Sequence, residues 1–268
     1  MDILKRNNVV VKGKGKQPIM FAHGFGCDQN MWRYVAHAFE ENYKVILFDY
    51  VGAGGSDISA YLPEKYNKLE SYAEDIIEIA DALDLKDIIF VGHSVSSIIG
   101  VIASNQRPGL FKSLILVGPS PSYINDGDYV GGFTKPQIEE LLESLDNNHL
   151  GWSMAMAPVI MGNPDRPELG EELANSFCRT DPKIAKQFAR TTFLSDKREI
   201  LSSVKVPTLI LQCSEDVIAP GVVGEYVHQN IPGSKLVVMK ATGHCPNLSA
   251  PEETIQAIKQ FISSTPVA

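Results

Sequence analysis

The segment Ile88-Ile89-Phe90-Val91-Gly92-His93-Ser94-Val95-Ser96 sets one serine at the end of an apolar, β-branched run. Small and apolar residues then continue at helical spacing through Gly100. This reads as strand, sharp turn and helix, with Ser94 at the turn and the helix N-terminus aimed at it. A serine hydroxyl is a weak nucleophile at neutral pH. It needs a base within hydrogen-bond reach, and the base needs a carboxylate to orient it. Both types follow, in the order serine, acid, histidine. Ser214-Glu215-Asp216 comes after the strand pattern Pro207–Cys213, and Ala241-Thr242-Gly243-His244 after the pattern Lys235–Met239. Each lies just past the C-terminal end of a strand, where one sheet edge can gather all three. Glu215 and Asp216 compete for the acid. Asp216 is preferred, because Glu215-Asp216-Val217-Ile218-Ala219-Pro220 has the usual form of such an acid loop.

Attack on a carbonyl builds an oxyanion, which needs backbone donors. Val95, just after the serine, supplies one N–H. The loop His23-Gly24-Phe25-Gly26, after another strand pattern, supplies the second through Phe25, and its glycines permit the close approach. His23 and His93 are read as residues that hold loop shape, not as further bases. The usual G-x-S-x-G ends in glycine, whereas this chain has Ser96 there. The run Gly52-Ala53-Gly54-Gly55-Ser56-Asp57 lacks the third glycine of a dinucleotide loop and reads as a structural turn. No cofactor is expected. The four cysteines, Cys27, Cys178, Cys213 and Cys245, show no C-x-x-C spacing, so neither a metal site nor a redox motif is expected.

The elements that must position these residues alternate. Strand patterns fall at Asn8–Lys12, Gln17–Ala22, Lys44–Asp49, Asp87–Gly92, Ser113–Gly118, Thr208–Cys213 and Lys235–Met239. Helical patterns fall at Asn30–Phe39, Leu69–Leu83, Val95–Asn105, Val222–Asn230 and Pro251–Ser263. The alternation predicts an α/β fold, a mostly parallel sheet flanked by helices. It lapses over 119–198, which reads as four helices: Lys135–Asn147, Gly151–Met161, Pro167–Arg179 and Pro182–Ser195. A helical insertion between two strands is expected to cap the carboxyl edge of the sheet, where ligands bind. One domain over 1–268 with a lid is therefore preferred to two independent domains. Few charges occur in Gly151–Met161, which implies an apolar pocket.

Composition is that of a globular protein, with 44% hydrophobic and 21% charged residues in 268. A net charge of -8 argues against nucleic acid, which calls for a basic surface. The first residues form no apolar leader, and no apolar run approaches the roughly 18 residues of a membrane span. A cytoplasmic location with reduced cysteines is expected.

Ser94, Asp216, His244 and the His23–Gly26 loop together resemble a serine α/β-hydrolase. More narrowly, the chain resembles the group of the bacterial sigma-B stress regulator RsbQ and the plant strigolactone and karrikin receptors. The likeness runs over nearly the full length, through His23-Gly24-Phe25-Gly26-Cys27-Asp28-Gln29, Gly92-His93-Ser94-Val95-Ser96, Ser120-Pro121-Ser122-Tyr123-Ile124-Asn125-Asp126 and Gly131-Gly132-Phe133. Two blocks of the insertion, Gly162–Pro167 and Phe177–Pro182, look more like the bacterial member. The resemblance accommodates serine at position 96. It implies a V-shaped lid over a hydrophobic pocket lined, by position, by Phe25, Tyr123, Phe133, Trp152, Met156 and Phe193. Plant members tend to carry phenylalanine where Met156 stands, and a flexible thioether there changes the pocket's shape. The implied activity is hydrolysis of a small hydrophobic ester or lactone. The alternative is a signalling regulator that binds or slowly hydrolyses such a ligand and activates a partner phosphatase. A dehalogenase would need a carboxylate at position 94.

Overall fold

The computed structural model describes residues 2–265; Met1 and 266–268 lie outside the described residues. Seven strands form one sheet: β1 (Val10–Lys12), β2 (Pro18–Ala22), β3 (Lys44–Leu47), β4 (Ile88–His93), β5 (Phe111–Val117), β6 (Thr208–Glu215) and β7 (Lys235–Thr242). Their order is β1-β3-β2-β4-β5-β6-β7. Only the edge strand β1 runs antiparallel. The helices are α1 (Ile3–Arg6), α2 (Arg33–Ala36), α3 (Leu69–Ala82), α4 (Val95–Gln106), α5 (Lys135–Asn147), α6 (His149–Met161), α7 (Pro167–Arg179), α8 (Pro182–Phe193), α9 (Gly221–Asn230), α10 (Pro246–Ser249) and α11 (Pro251–Ser264).

The central strands are apolar throughout because both faces are covered. Successive side chains leave a strand on opposite faces. Ile19, Phe21, Ile89 and Val91 accordingly join one apolar cluster with Val35 of α2 and Ile258 of α11. Met20, Ala22, Ile88 and Phe90 join the other, with Ile76 of α3 and Ile98 of α4. Full burial of one such isoleucine contributes about 1.5–3 kcal/mol. Several element ends differ from the sequence expectations; β7, for one, runs on to Thr242. β1 begins at Val10, not Asn8. Asn8 takes a left-handed φ of 46°, and its amide donates to Asp49 at 2.8 Å. The helix expected over Asn30–Phe39 is split into 3-10 turns at Gln29–Trp32 and His37–Phe39 around the short α2. The Gly52–Asp57 turn is tied down from below, since Gly55 N–H donates to the same Asp49 carboxylate at 2.9 Å.

Helices α5–α8 lie between β5 and β6. Their ends are written in the sequence. Thr134 and Gln137 form a capping box on α5, Asn148 caps α6, and Asp181 caps α8. Pro167 and Pro182 occupy first-turn positions where a missing N–H costs nothing. The helices bury Ile138 and Leu142 of α5, Trp152 of α6, and Leu173 and Phe177 of α7 in the first cluster. They are thus continuous with that cluster.

Candidate active site

Ser94 follows the last residue of β4 and precedes the first of α4. It has φ 57° and ψ −121°, a region costly for a residue with a Cβ. The turn is held by Ser94 N–H donating to Val117 O at 2.8 Å and Ser97 N–H donating to Ser94 O at 2.9 Å. It is so sharp that a Cβ on Gly92 would lie 2.6 Å from the Ser96 carbonyl oxygen, so only glycine fits there. The result is a hydroxyl held above the sheet edge.

His244, two residues past β7, meets it. His244 Nε2 lies 2.7 Å from Ser94 Oγ, and His244 Nδ1 lies 2.7 Å from Asp216 Oδ2. Glu215 is exposed as the last residue of β6, whereas Asp216 is buried. The Asp216 carboxylate is itself fixed: Oδ1 accepts from the Ile218 and Ala219 amides at 2.8 and 3.0 Å. That leaves Oδ2 for the imidazole and places the ring proton on Nδ1. Nε2 then carries the lone pair that can accept the serine proton.

The His23–Gly26 loop is oriented by a set of hydrogen bonds. Tyr50 N–H donates to His23 Nε2 at 3.1 Å, so the proton of His23 sits on Nδ1 and donates to Gly24 O at 2.9 Å. Carbonyl and N–H point opposite ways across a trans peptide. With the Gly24 carbonyl held by His23, the Phe25 N–H on the same peptide plane points away from it. The Phe25 and Val95 amides have no protein acceptor among the described residues. A Cβ on Gly24 would lie 2.6 Å from His93 Nδ1 and 3.5 Å from Ser94 Cβ, which measures how close this loop approaches the serine. Ser96 ties the two together. Its Oγ donates to the His23 carbonyl and accepts from the Tyr50 hydroxyl at 2.8 Å. Sequence reasoning gave Ser96 no contact. The signal was there, since a buried serine in place of glycine needs a partner.

His93 donates from Nε2 to the His244 carbonyl at 2.7 Å, so it braces the base loop. Burial, and then the neighbouring His244, push His93 down from its ordinary 6.5 to about 3. The unfolded chain therefore takes up this proton first. The stabilisation is complete above about pH 6.5 and drains away as pH falls toward 3. His23 is lowered by burial in the same sense. In urea melts, His93→Asn, which keeps a donor, is expected to lose less stability between pH 6.5 and 4 than wild type. Parallel slopes for the two proteins would reject this account.

Ser94 and His244 open into an apolar cavity with about 30 Å³ of free space. At about 10–15 Å³ each, that is room for roughly two waters. Phe25, Tyr123, Trp152 and Phe193 line it. Phe133 and Met156 do not. Phe133 is held in the loop before α5 by backbone bonds with Tyr123 and Asn125, half-buried against the apolar cluster. Met156 is likewise half-buried. Trp152, stacked on Phe177 with centroids 5.9 Å apart, fills a cavity-facing position of α6. The sequence reading did not single out Ile160, Leu173, Thr192 or Ile218 as lining residues, yet all four line the cavity. Cys245 lines it too, and burial raises its thiol well above the ordinary range. Among the described residues no group of three His, Cys, Asp or Glu is arranged to hold a metal. Nor is any described helix long and apolar enough to cross a membrane.

A family model described as the alpha/beta hydrolase family matches residues 19–257. Karrikin insensitive 2 receptor CA of Petunia hybrida is 39% identical over 257 residues, covering 96% of this chain and 95% of the receptor. Strigolactone esterase D14 of Arabidopsis thaliana is 38% identical over 262 residues, covering 97% and 98%. Among solved structures, a hydrolase from Oleispira antarctica superposes with a TM-score of 0.96 at 43% identity, covering 98% of this chain and 97% of that one.

Proposed function

The chain belongs to the alpha/beta hydrolase family, and on that premise we propose that it is a serine esterase or lactonase for small hydrophobic substrates. The reading rests above all on the two 2.7 Å bonds that join Ser94, His244 and Asp216 at the mouth of an apolar cavity. His244 Nε2 takes the Ser94 proton as Oγ attacks the ester or lactone carbonyl. Asp216 keeps the ring in the accepting tautomer and offsets the positive charge it gains. The Phe25 and Val95 amides hold the oxyanion, and one such donor is worth about 10²–10³ in rate. The imidazolium then protonates the leaving oxygen. Water, giving its proton to His244, attacks the acyl carbonyl and frees Ser94. Helices α5–α8 act as the lid that keeps bulk water out.

The test is to quench the enzyme with a small chromogenic ester or lactone and weigh it. The acyl mass is expected on the peptide carrying Ser94. An adduct elsewhere, or turnover with none on Ser94 under trapping conditions, would defeat the reading. Ser96 supplies a further check. Ser96→Ala leaves the His23 carbonyl and the Tyr50 hydroxyl buried without a partner, at about 1–3 kcal/mol each. It loosens the peptide next to the oxyanion donor. The expected result is a loss of about tenfold in kcat with KM unchanged; an unaltered kcat would show the tie to be idle.

A second reading is favoured by the 39% identical karrikin receptor. Here the same site binds or slowly hydrolyses a small ligand, and the output is a partner, a regulatory phosphatase by analogy with the bacterial stress system. Fast multiple turnover without any partner speaks for the plain enzyme. Very slow turnover, with capture of a phosphatase that depends on the lid, speaks for the regulator.

A further inference from the structure

We propose that Thr192 determines acyl specificity, selecting short acyl groups that carry a second oxygen, an ether or keto acceptor beyond the scissile carbonyl. The inference rests on the hydrolase reading of Ser94 and His244 and adds to it the class of acyl group.

Thr192 lies on α8, one residue before its end, and shares the cavity with Ser94 and His244. It is 2% exposed, and its hydroxyl Oγ1 is buried with no hydrogen-bond partner. A threonine inside a helix commonly bonds the carbonyl one turn back. This one does not, although Ser195 nearby bonds back to the Thr192 carbonyl at 2.8 Å. The wall is mostly apolar, with Phe25, Trp152, Ile160, Leu173 and Phe193, and Tyr123 and Cys245 add polar groups to it. In such a wall a valine has the same shape and leaves nothing to pair, so a hydroxyl here costs the protein whatever it leaves unpaired. The cost is recovered when an acceptor atom enters the cavity. The scissile carbonyl oxygen belongs to the Phe25 and Val95 amides. The atom that meets Thr192 is therefore a different oxygen on the same small acyl group. A site built around a hydroxyl discriminates against the analogue lacking its partner.

Two esters isolate this effect: p-nitrophenyl methoxyacetate and p-nitrophenyl butyrate, whose acyl chains differ by an oxygen in place of a methylene. The alkoxy ester is intrinsically more reactive, so the quantity read is the change in the ratio of kcat/KM values between proteins. Thr192→Val is expected to lower the methoxyacetate-to-butyrate ratio about tenfold, the worth of one hydrogen bond. Its thermal midpoint should be unchanged or raised, because an unpaired buried hydroxyl is gone. Thr192→Ser keeps the hydroxyl and is expected to keep the ratio. A Thr192→Val ratio within twofold of wild type overturns the proposal, as when internal water already satisfies the hydroxyl. So does a lowered thermal midpoint, which would mean that the hydroxyl is bonded within the protein. Ser94→Ala separates the two readings. If neither ester is hydrolysed faster by wild type than by Ser94→Ala, the hydrolase reading fails. The Thr192 proposal is then decided by the same ratio taken from dissociation constants of the two esters.

Discussion

Ser94→Ala is expected to lower kcat/KM for a small ester by at least about 10⁴-fold while leaving the fold intact. The reason lies in what remains. Without Oγ, the oxyanion amides and the cavity still bind the ester, but only water can attack it, and nothing orients that water on the carbonyl. The residual rate is that of binding and oxyanion stabilisation alone. The thermal midpoint serves as an internal control, because the bonds that hold residue 94 at φ 57° and ψ −121° are made by backbone atoms. Alanine keeps the backbone strain of serine, so its midpoint should differ from wild type only by the lost bond to His244 Nε2. Glycine relieves the strain, so Ser94→Gly should be equally inactive yet more stable, by about 1 kcal/mol or more. An alanine variant with substantial esterase activity would remove Ser94 from the chemistry. A glycine variant no more stable than alanine would remove strain from the account of the turn.

The second large effect concerns Asp216, where geometry dictates how the variant behaves. In Asp216→Asn the side-chain oxygen must stay with the Ile218 and Ala219 amides, which donate to Oδ1 at 2.8 and 3.0 Å. The NH₂ group is then forced toward His244 Nδ1, where Oδ2 now accepts at 2.7 Å. A donor facing Nδ1 drives the ring proton to Nε2, and Nε2 can no longer take the proton of Ser94. The loss should be about 10⁴-fold in kcat, as for the corresponding change in a chymotrypsin-type triad, with KM little altered. Hydroxide bypasses the missing base, so part of the rate should return as pH rises. Asp216→Ala frees Nδ1 and should be less damaging than asparagine. If asparagine proved no worse than alanine, tautomer control would not be what Asp216 supplies.

Most of the framework was legible in the sequence because it is local. Seven apolar runs of strand length gave seven strands, and the breaks at Pro167, Pro182 and Gly162 set the insertion's helices apart. Each reflects short-range chemistry, such as periodicity, a capping side chain or a missing N–H. The order serine, acid, histidine, each just past a strand, was equally plain, because parallel strands deliver their ends to one edge. The pocket was harder. By position in the resemblance Phe133 and Met156 belong to the lining, but α6 turns Trp152 to the cavity, and the loop before α5 keeps Phe133 against the core.

What the sequence by itself determined, then, is the set of elements, the edge at which they end, and the residue types that arrive there. Tertiary structure alone decided which atoms face each other. It brought Asp216 and His244, 28 residues apart, to a 2.7 Å bond, and closed the 150-residue gap from Ser94 to His244 with another. It gave Ser96 a partner in the His23 carbonyl and left the Thr192 hydroxyl with none. The physical reason is the range of the forces. Hydrophobic period and backbone propensity act over a few residues and can be read along the chain. A hydrogen bond depends on direction to within tenths of an ångström, and those directions exist only once the sheet and its helices have packed.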